Sequence, residues 1–301
     1  MPELPEVESL RRFLAERIVG LTIERAEVAA FSALKTFDPP IESIVGRRVI
    51  GVGRRGKYLI VETGAPSADS AQGAPPGEAP VFVVVHLARG GWIRWQDELN
   101  TAKSKPGKGP LALRLGFSDG AGMNITEAGT EKRLAVWVVR RLEEIEMVAT
   151  LGPDPLESGV TVRELGALLR SQKGQIKKVL TDQRVVAGVG NAYSDEALHE
   201  AKLSPFRQAD KLTADEAQSL ARAVVRILSE AVVRSGDVPV SGLKSEKKSG
   251  LRVHGRAGQL CPVCNDTVRE VSFATKSLQY CPTCQTSGKP LADRRMSRLL
   301  K

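Results

Sequence analysis

All four cysteines of this 301-residue chain fall in one short segment near its end, as Cys261-Pro-Val-Cys264 and Cys281-Pro-Thr-Cys284. Two Cys-x-x-Cys pairs across such a gap match zinc-ribbon spacing, in which four thiolates complete a tetrahedral site. Three other uses of the pairs come into question: disulfides, a redox dithiol and an iron–sulfur cluster. Disulfides are poorly placed in a chain with no export signal, and a redox dithiol normally needs one such motif beside a βαβ unit. One zinc per chain, held by Cys261, Cys264, Cys281 and Cys284, is therefore expected. With sulfur at all four positions the ion has no open coordination site, so it would be a fold element and no catalyst.

Charge narrows the partner. Lys plus Arg number 44 against 35 Asp plus Glu, for a net charge of +9 and a pI near 9.5. A pI above about 9 suits a polyanion, because cations that neutralise phosphates release condensed counterions. A merely basic soluble protein has the same balance. Aromatics at 4% argue against a broad stacking platform for single strands. The 42% hydrophobic and 26% charged fractions are ordinary for a soluble globular chain. No apolar run nears the roughly 20 residues of a membrane span. The opening residues lack the basic flank and apolar stretch of a signal peptide, so a cytoplasmic protein is expected.

Length favours two or three domains. Residues 4–20 read as an amphipathic helix, with Pro5 in the first turn, Val7, Leu10, Phe13, Leu14 and Ile18 on one face, and Gly20 as the stop. Short Val/Ile-rich runs at 48–52, 58–62, 81–87, 92–95, 111–117 and 133–139 then predict a β-sandwich or barrel. Residues 64–80, small, polar and rich in Pro and Gly, predict a mobile loop without chemistry. Leu-Gly-Pro-Asp-Pro at 151–155 marks a boundary. Beyond it the pattern is helical, with Thr161/Glu164 and Thr213/Glu216 as capping pairs, and residues 241–250 read as a Lys/Ser/Gly linker. The expected fold is α+β: a β-rich domain over 1–150, a helical domain over 151–240, a cysteine module over 251–285 and a basic extension over 286–301.

The helical region holds one informative turn, Gln-Arg-Val-Val-Ala-Gly-Val-Gly-Asn-Ala-Tyr-Ser-Asp at 183–195. Gly188 and Gly190 permit a tight hairpin, and Asn191 reads as the N-cap of a helix whose free N–H groups suit an anion. With Lys173, Lys177 and Lys178 nearby, a phosphate clamp is one reading and a helix hairpin with ordinary caps is the other.

Four motifs stand in order: Pro2-Glu3-Leu4-Pro5-Glu6-Val7-Glu8, then Gly53-Arg-Arg-Gly-Lys57-Tyr58-Leu59, then residues 180–198, then the cysteine module over 253–285. Together they resemble the formamidopyrimidine-DNA glycosylase / endonuclease VIII family of base-excision repair enzymes. Each motif alone is modest; the ordered set is specific. The resemblance implies an N-terminal β-sandwich, a helix–two-turns–helix domain and a C-terminal zinc finger. The partner is expected to be damaged double-stranded DNA, bound by a monomer associated with the nucleoid and not with a membrane.

It also implies roles. Pro2, once Met1 is removed, has a secondary amine; α-amino groups titrate at about 7.7–8.0, so an appreciable fraction is nucleophilic at neutral pH. Attack on the sugar C1′ would expel the base, and the resulting Schiff base would permit strand cleavage by β,δ-elimination. Glu3 is the implied proton donor for sugar-ring opening, a task for a partly buried carboxyl. Lys57 resembles the proton donor for β-elimination, Asn191 the phosphate-binding Asn, and His86 a DNA contact.

Three places depart from the family pattern. Arg89 stands where a Met wedge fills the gap left by the flipped-out base. In the second insertion loop, Lys132-Arg133-Leu134-Ala135 replaces Arg-Arg-Phe-Gly, so Leu134 is a smaller wedge and Lys132 lacks the bidentate fork of Arg. Lys276 stands at the Arg used for δ-elimination. The expected activity is thus a DNA glycosylase with abasic-site lyase activity on oxidised bases. The alternatives are an endonuclease VIII-like preference for pyrimidines, a zinc-dependent damaged-DNA binder that does not cut, and a basic RNA-binding factor.

Overall fold

A computed structural model of the chain describes residues 1–66, 79–100, 102, 109–236, 238–273 and 277–292. Most of the loop at 64–80, Lys276 and the end of the basic extension lie outside the described residues. The chain forms two compact units, Met1–Thr150 with Pro239–Ser241, and Leu151–Val238 with Gly242–Lys301.

The first unit opens with helix α1 (Leu4–Ile18), which starts with prolines at and near its first turn and ends before Gly20, whose φ of 93° only glycine adopts readily. Val7, Leu10, Leu14 and Ile18 form its buried stripe. Strands β1 (Ile23–Val28), β2 (Arg47–Arg55), β3 (Tyr58–Pro66), β4 (Val81–His86), β5 (Gly91–Gln96), β6 (Leu111–Phe117), β7 (Gly122–Glu127) and β8 (Ala135–Val139) follow. They make two four-stranded antiparallel sheets, β1-β6-β7-β5 and β2-β3-β4-β8. Leu59, Val61, Val83, Val85, Ile93, Leu115, Ile125 and Val138 are buried in this sandwich-like fold.

Neither β1 nor β7 is among the strands expected from the sequence, because charged and amide side chains mask their apolar positions. Those side chains also join a ladder that runs across the backbone-paired strands. Arg114 donates to Glu27 (3.2 Å) and to Asn124 (3.1 Å), and Asn124 donates to Gln96 (3.1 Å). This polar ladder crosses all strands in the order β1, β6, β7, β5, and Arg114 is 7% exposed.

The second unit is mainly helical, preceded by the short α2 (Glu146–Ala149): α3 (Val162–Ser171), α4 (Ile176–Thr181), α5 (Asn191–Glu200), α6 (Ala214–Gly236) and α7 (Leu243–Gly250). The hairpin β9 (Arg269–Ser272) and β10 (Ser277–Tyr280) and the short α8 (Pro282–Thr286) complete it. Both expected capping pairs are reciprocal. Glu164 N–H donates to Thr161 Oγ1 at 3.2 Å while Thr161 N–H donates to Glu164 Oε2 at 3.1 Å, and Thr213 and Glu216 do the same at 3.1 and 2.7 Å. The stretch expected to be a linker is largely helical, since Leu243 is buried, Glu246 pairs with Arg234 at 2.9 Å and Lys247 lies 4.5 Å over the Tyr193 ring. No helix among the described residues is long and apolar enough to cross a membrane.

Replacing Arg114 by Met keeps the bulk and deletes the ladder's centre. Leaving Glu27 and Asn124 short of a donor is expected to cost about 1–3 kcal/mol in urea unfolding; a loss below about 0.5 kcal/mol would show that the ladder does not hold the sheet.

Candidate active site and metal centre

Pro2 and Glu3 are both buried, directly ahead of α1. Glu3 is the N-cap, 2% exposed, and closes a capping box with Glu6, its N–H donating to Glu6 Oε2 at 2.7 Å. Lys57 sits in the two-residue turn between β2 and β3, after Gly56 at φ 54°, the conformation a tight hairpin asks of its first central residue. It is 6% exposed, far more enclosed than a surface lysine.

Arg54 links these two places. Its Nε donates to Glu8 Oε2 at 3.1 Å and its Nη1 to the Gly56 carbonyl at 3.0 Å, so α1 and the Lys57 turn share one hydrogen-bonded frame. Burial pushes the Glu8 carboxyl up, but Arg11, Arg12 and Arg54 together outweigh it and hold the group down to about 2.

Sheet register gathers the remaining candidates. Tyr58 pairs with His86, and His86 with Ala135, so Lys57, the turn after His86 and the loop before Ala135 emerge from one end of the β2-β3-β4-β8 sheet. The Tyr58 and His86 rings lie 4.9 Å apart. Burial, and then the charge of Lys57, lowers His86 to about 4, so it is a neutral imidazole at physiological pH. In the turn, Ala88 adopts φ 50° and Arg89 is exposed. Gly91 and Gly90 leave no room for a Cβ, which would lie 2.1 Å from the Leu87 carbonyl oxygen and 2.0 Å from that of Ala128.

The two expected insertion loops are neighbours, since Ala128 N–H donates to the Gly90 carbonyl at 3.0 Å. Glu127, 4% exposed, clamps the second: its Oε1 accepts from the N–H groups of Arg133 (2.7 Å) and Leu134 (2.9 Å), and Lys132 Nζ donates to its carbonyl at 2.6 Å. Leu134 departs from expectation. It is 1% exposed and packs in the sandwich, so in this conformation the loop offers the exposed cations Lys132 and Arg133 and no apolar wedge.

In the second unit, α5 differs in detail from the sequence reading. Its N-cap is Gly190; Asn191 is the first helical residue, and its side-chain amide donates to the Ser277 carbonyl of β10 at 2.8 Å. Lys177 is not available to a phosphate: its Nζ is buried against Asp195 Oδ1 (2.6 Å), Ser194 Oγ (2.9 Å) and the Asn191 carbonyl (3.2 Å). Lys173 and Lys178 are exposed. Asp195 Oδ2 also meets His254 Nδ1 at 2.7 Å and accepts from Gln279 N–H at 3.2 Å. Glu196 accepts from the N–H groups of Arg252, Val253 and His254 at 2.8, 3.0 and 2.8 Å, and burial raises its pKa. None of these acidic anchors was singled out from the sequence. The signal was the spacing 191, 195, 199, which puts three polar side chains on one helix face.

The four cysteine sulfurs converge, with Cys264–Cys281 at 3.3 Å and Cys261–Cys284 at 3.9 Å. Thiolates sharing a zinc at about 2.3 Å lie roughly 3.8 Å apart, so the set fits the ion. Its chemistry fits too: burial pushes the Cys281 thiol up to about 11 and Cys284 higher still, so these two need a cation beside them to ionise. His199 on α5 was missed from the sequence. Its Nε2 lies 3.3 Å from Cys261 Sγ, and burial, then Arg252, lowers it to about 4. Lys276 lies outside the described residues.

The buried Pro2-Glu3 ahead of α1, the helix hairpin and the four converging cysteines stand in the order of the four sequence motifs. Family models agree along the chain: the formamidopyrimidine-DNA glycosylase N-terminal domain matches residues 1–133, its H2TH domain residues 151–240, and the zinc finger found in FPG and IleRS residues 258–286. A formamidopyrimidine-DNA glycosylase of Carboxydothermus hydrogenoformans is 32% identical over 296 residues, covering 95% of this chain and 100% of its own length. A formamidopyrimidine-DNA glycosylase-like protein of Mycobacterium tuberculosis is 61% identical over 151 residues, 50% of this chain and 94% of its own length. Among solved structures, MutM in complex with carbocyclic 8-oxo-G containing DNA superposes with TM-score 0.79 at 27% identity, covering 95% of this chain and 100% of that one. The chain belongs to the formamidopyrimidine-DNA glycosylase family.

Removing the cation of the buried Lys177–Asp195 pair leaves a carboxylate short of its partner. Lys177→Ala is expected to cost about 3–5 kcal/mol of stability in the second unit, measured by chemical unfolding. Unchanged stability with weakened DNA binding would instead return Lys177 to the phosphate.

Proposed function

We propose that this chain is a bifunctional DNA glycosylase and abasic-site lyase for oxidised bases, with Pro2 as nucleophile after removal of Met1. One observation carries the reading: buried Pro2-Glu3 and buried Lys57 belong to a single frame tied by Arg54, at positions matching the family motif. While Met1 remains, the Pro2 nitrogen is an amide with no available lone pair. Freed, that nitrogen bonds to the sugar C1′ as the glycosidic bond breaks and the base leaves with its electron pair. The amine's proton passes to solvent, and Glu3 gives a proton to the ring oxygen as the C1′–O bond opens, forming an iminium. The iminium acidifies the C2′ proton; its loss expels the 3′-phosphate, with Lys57 as proton donor in that elimination. Water then releases the amine. Lys276 is assigned to the δ-step, where a lysine retains charge without the geometry of an arginine fork.

Asn191 is assigned to the DNA backbone. One amide hydrogen holds Ser277, and the second is left for a phosphate at the N-terminus of α5. Arg89, Lys132 and His86 complete the DNA contacts of the first unit. One zinc per chain, on Cys261, Cys264, Cys281 and Cys284, holds the finger and takes no part in the chemistry. A preference for oxidised pyrimidines is the second reading, favoured by the burial of Leu134, which leaves the loop without an apolar wedge.

Borohydride on an abasic duplex is expected to trap a covalent adduct that peptide mapping places at Pro2. Glu3→Gln is expected to slow base removal about 10²–10⁴-fold while cleavage of a preformed abasic site falls far less. No adduct from correctly processed protein that still binds damaged DNA would favour the non-cutting binder. Elemental analysis is expected to give one zinc per chain, and a strong chelator to abolish DNA binding while the sandwich stays folded; iron, or no metal, would refute the assignment.

A further inference from the structure

We infer that His199 belongs to the metal centre as a hydrogen-bond donor, its ring giving Nε2–H to the Cys261 thiolate and so tying helix α5 to the ion's ligand shell. The inference rests on the zinc assignment above and extends it to a residue outside both Cys-x-x-Cys pairs.

Geometry comes first. Cys261 Sγ lies 3.3 Å from His199 Nε2, and the two residues are 0% and 3% exposed. A donor atom of His199 lies within 4.8 Å of those of Cys261, Cys281 and Cys284, so the ring faces three of the four sulfurs. A zinc surrounded by four thiolates carries two net negative charges, and in a buried site those charges are softened chiefly by N–H donors to the sulfurs.

The other ring nitrogen separates a donor from a ligand. His199 Nδ1 is buried and has no hydrogen-bond partner among the described residues. A metal-bound histidine almost always passes its second N–H to a carboxylate, carbonyl or water. Were Nε2 on the metal, Nδ1 would carry a proton with nothing to receive it. With the proton on Nε2, Nδ1 is a bare lone pair, and an unmatched acceptor is tolerated more often than an orphaned N–H. An ion held by all four sulfurs, as assigned above, would have no coordination position left for nitrogen.

Helix geometry gives this contact a consequence. Asn191, Asp195 and His199 are spaced i, i+4, i+8 on α5, and each reaches the finger, at Ser277, Gln279 and Cys261 respectively. The helix that opens at the proposed phosphate-binding Asn191 thus ends its contact stripe on a metal ligand, and loss of the donor should loosen the metal before it loosens the helix.

The test uses the full chain loaded with zinc, and separately with cobalt, as wild type, His199→Phe and His199→Gln. Phe fills the space without a donor; Gln keeps an N–H. Zinc release to an excess of chromogenic chelator is expected to be about 10–100-fold faster for His199→Phe, with His199→Gln recovering much of that loss. The cobalt absorption bands are expected to be those of a tetrathiolate site in all three proteins. Equal release from all three, or equally fast release from both variants, would overturn the donor role, the latter in favour of packing. Wild-type bands of a three-sulfur, one-nitrogen site that become tetrathiolate in His199→Phe would make His199 a ligand and overturn it too. The cobalt spectrum of the wild type needs no variant to fold. A wild type that binds neither metal would be a failure of the zinc assignment itself and is told apart by elemental analysis.

Discussion

A carboxylate 1% exposed to solvent has to recover the cost of its desolvation from donors supplied by the protein, and Asp195 does so from three directions. Lys177 comes from α4, His254 from the segment entering the finger, and the Gln279 N–H from β10. None of the three can move away without leaving charge uncompensated, so one side chain sets where the hairpin helices and the finger stand relative to each other within the second unit. Glu196, its neighbour, does the same for the backbone of 252–254. The finger is thereby held from outside as well as by its sulfurs.

The first unit uses the same device on a smaller scale. Glu8 receives Arg54, which also holds the Gly56 carbonyl, and Glu127 receives the backbone of the loop that presents Lys132 and Arg133. Glu127 is buried beneath its loop, while Arg89, Lys132 and Arg133 are exposed, Arg133 pairing with the equally exposed Glu131 at 3.1 Å.

Much of the architecture was legible because it is local. The α1 stripe, both capping boxes and the cysteine spacing depend on residues a few positions apart, and each reappears in the structure. β1 and β7 were not legible, since Glu27 and Asn124 look like loop residues until their strands are paired with Arg114 of β6. The helical reach of α7 was hidden by its Lys and Ser content, which Glu246 and Tyr193 compensate through partners distant in sequence.

The sequence by itself determined which chemistry is on offer: a proline beside a glutamate at the start of the chain, a lysine in a hairpin turn, an asparagine opening a helix and four thiols in ribbon spacing. Only the tertiary structure decided where each of these points. Lys177 and Leu134 read as surface groups and are buried, and His199 reads as one more helix residue and lies against a thiol. Periodicity and spacing report which residues share a face, whereas the partner of that face is set by register and packing between segments far apart in sequence, as with Asp195 and Gln279, 84 residues apart.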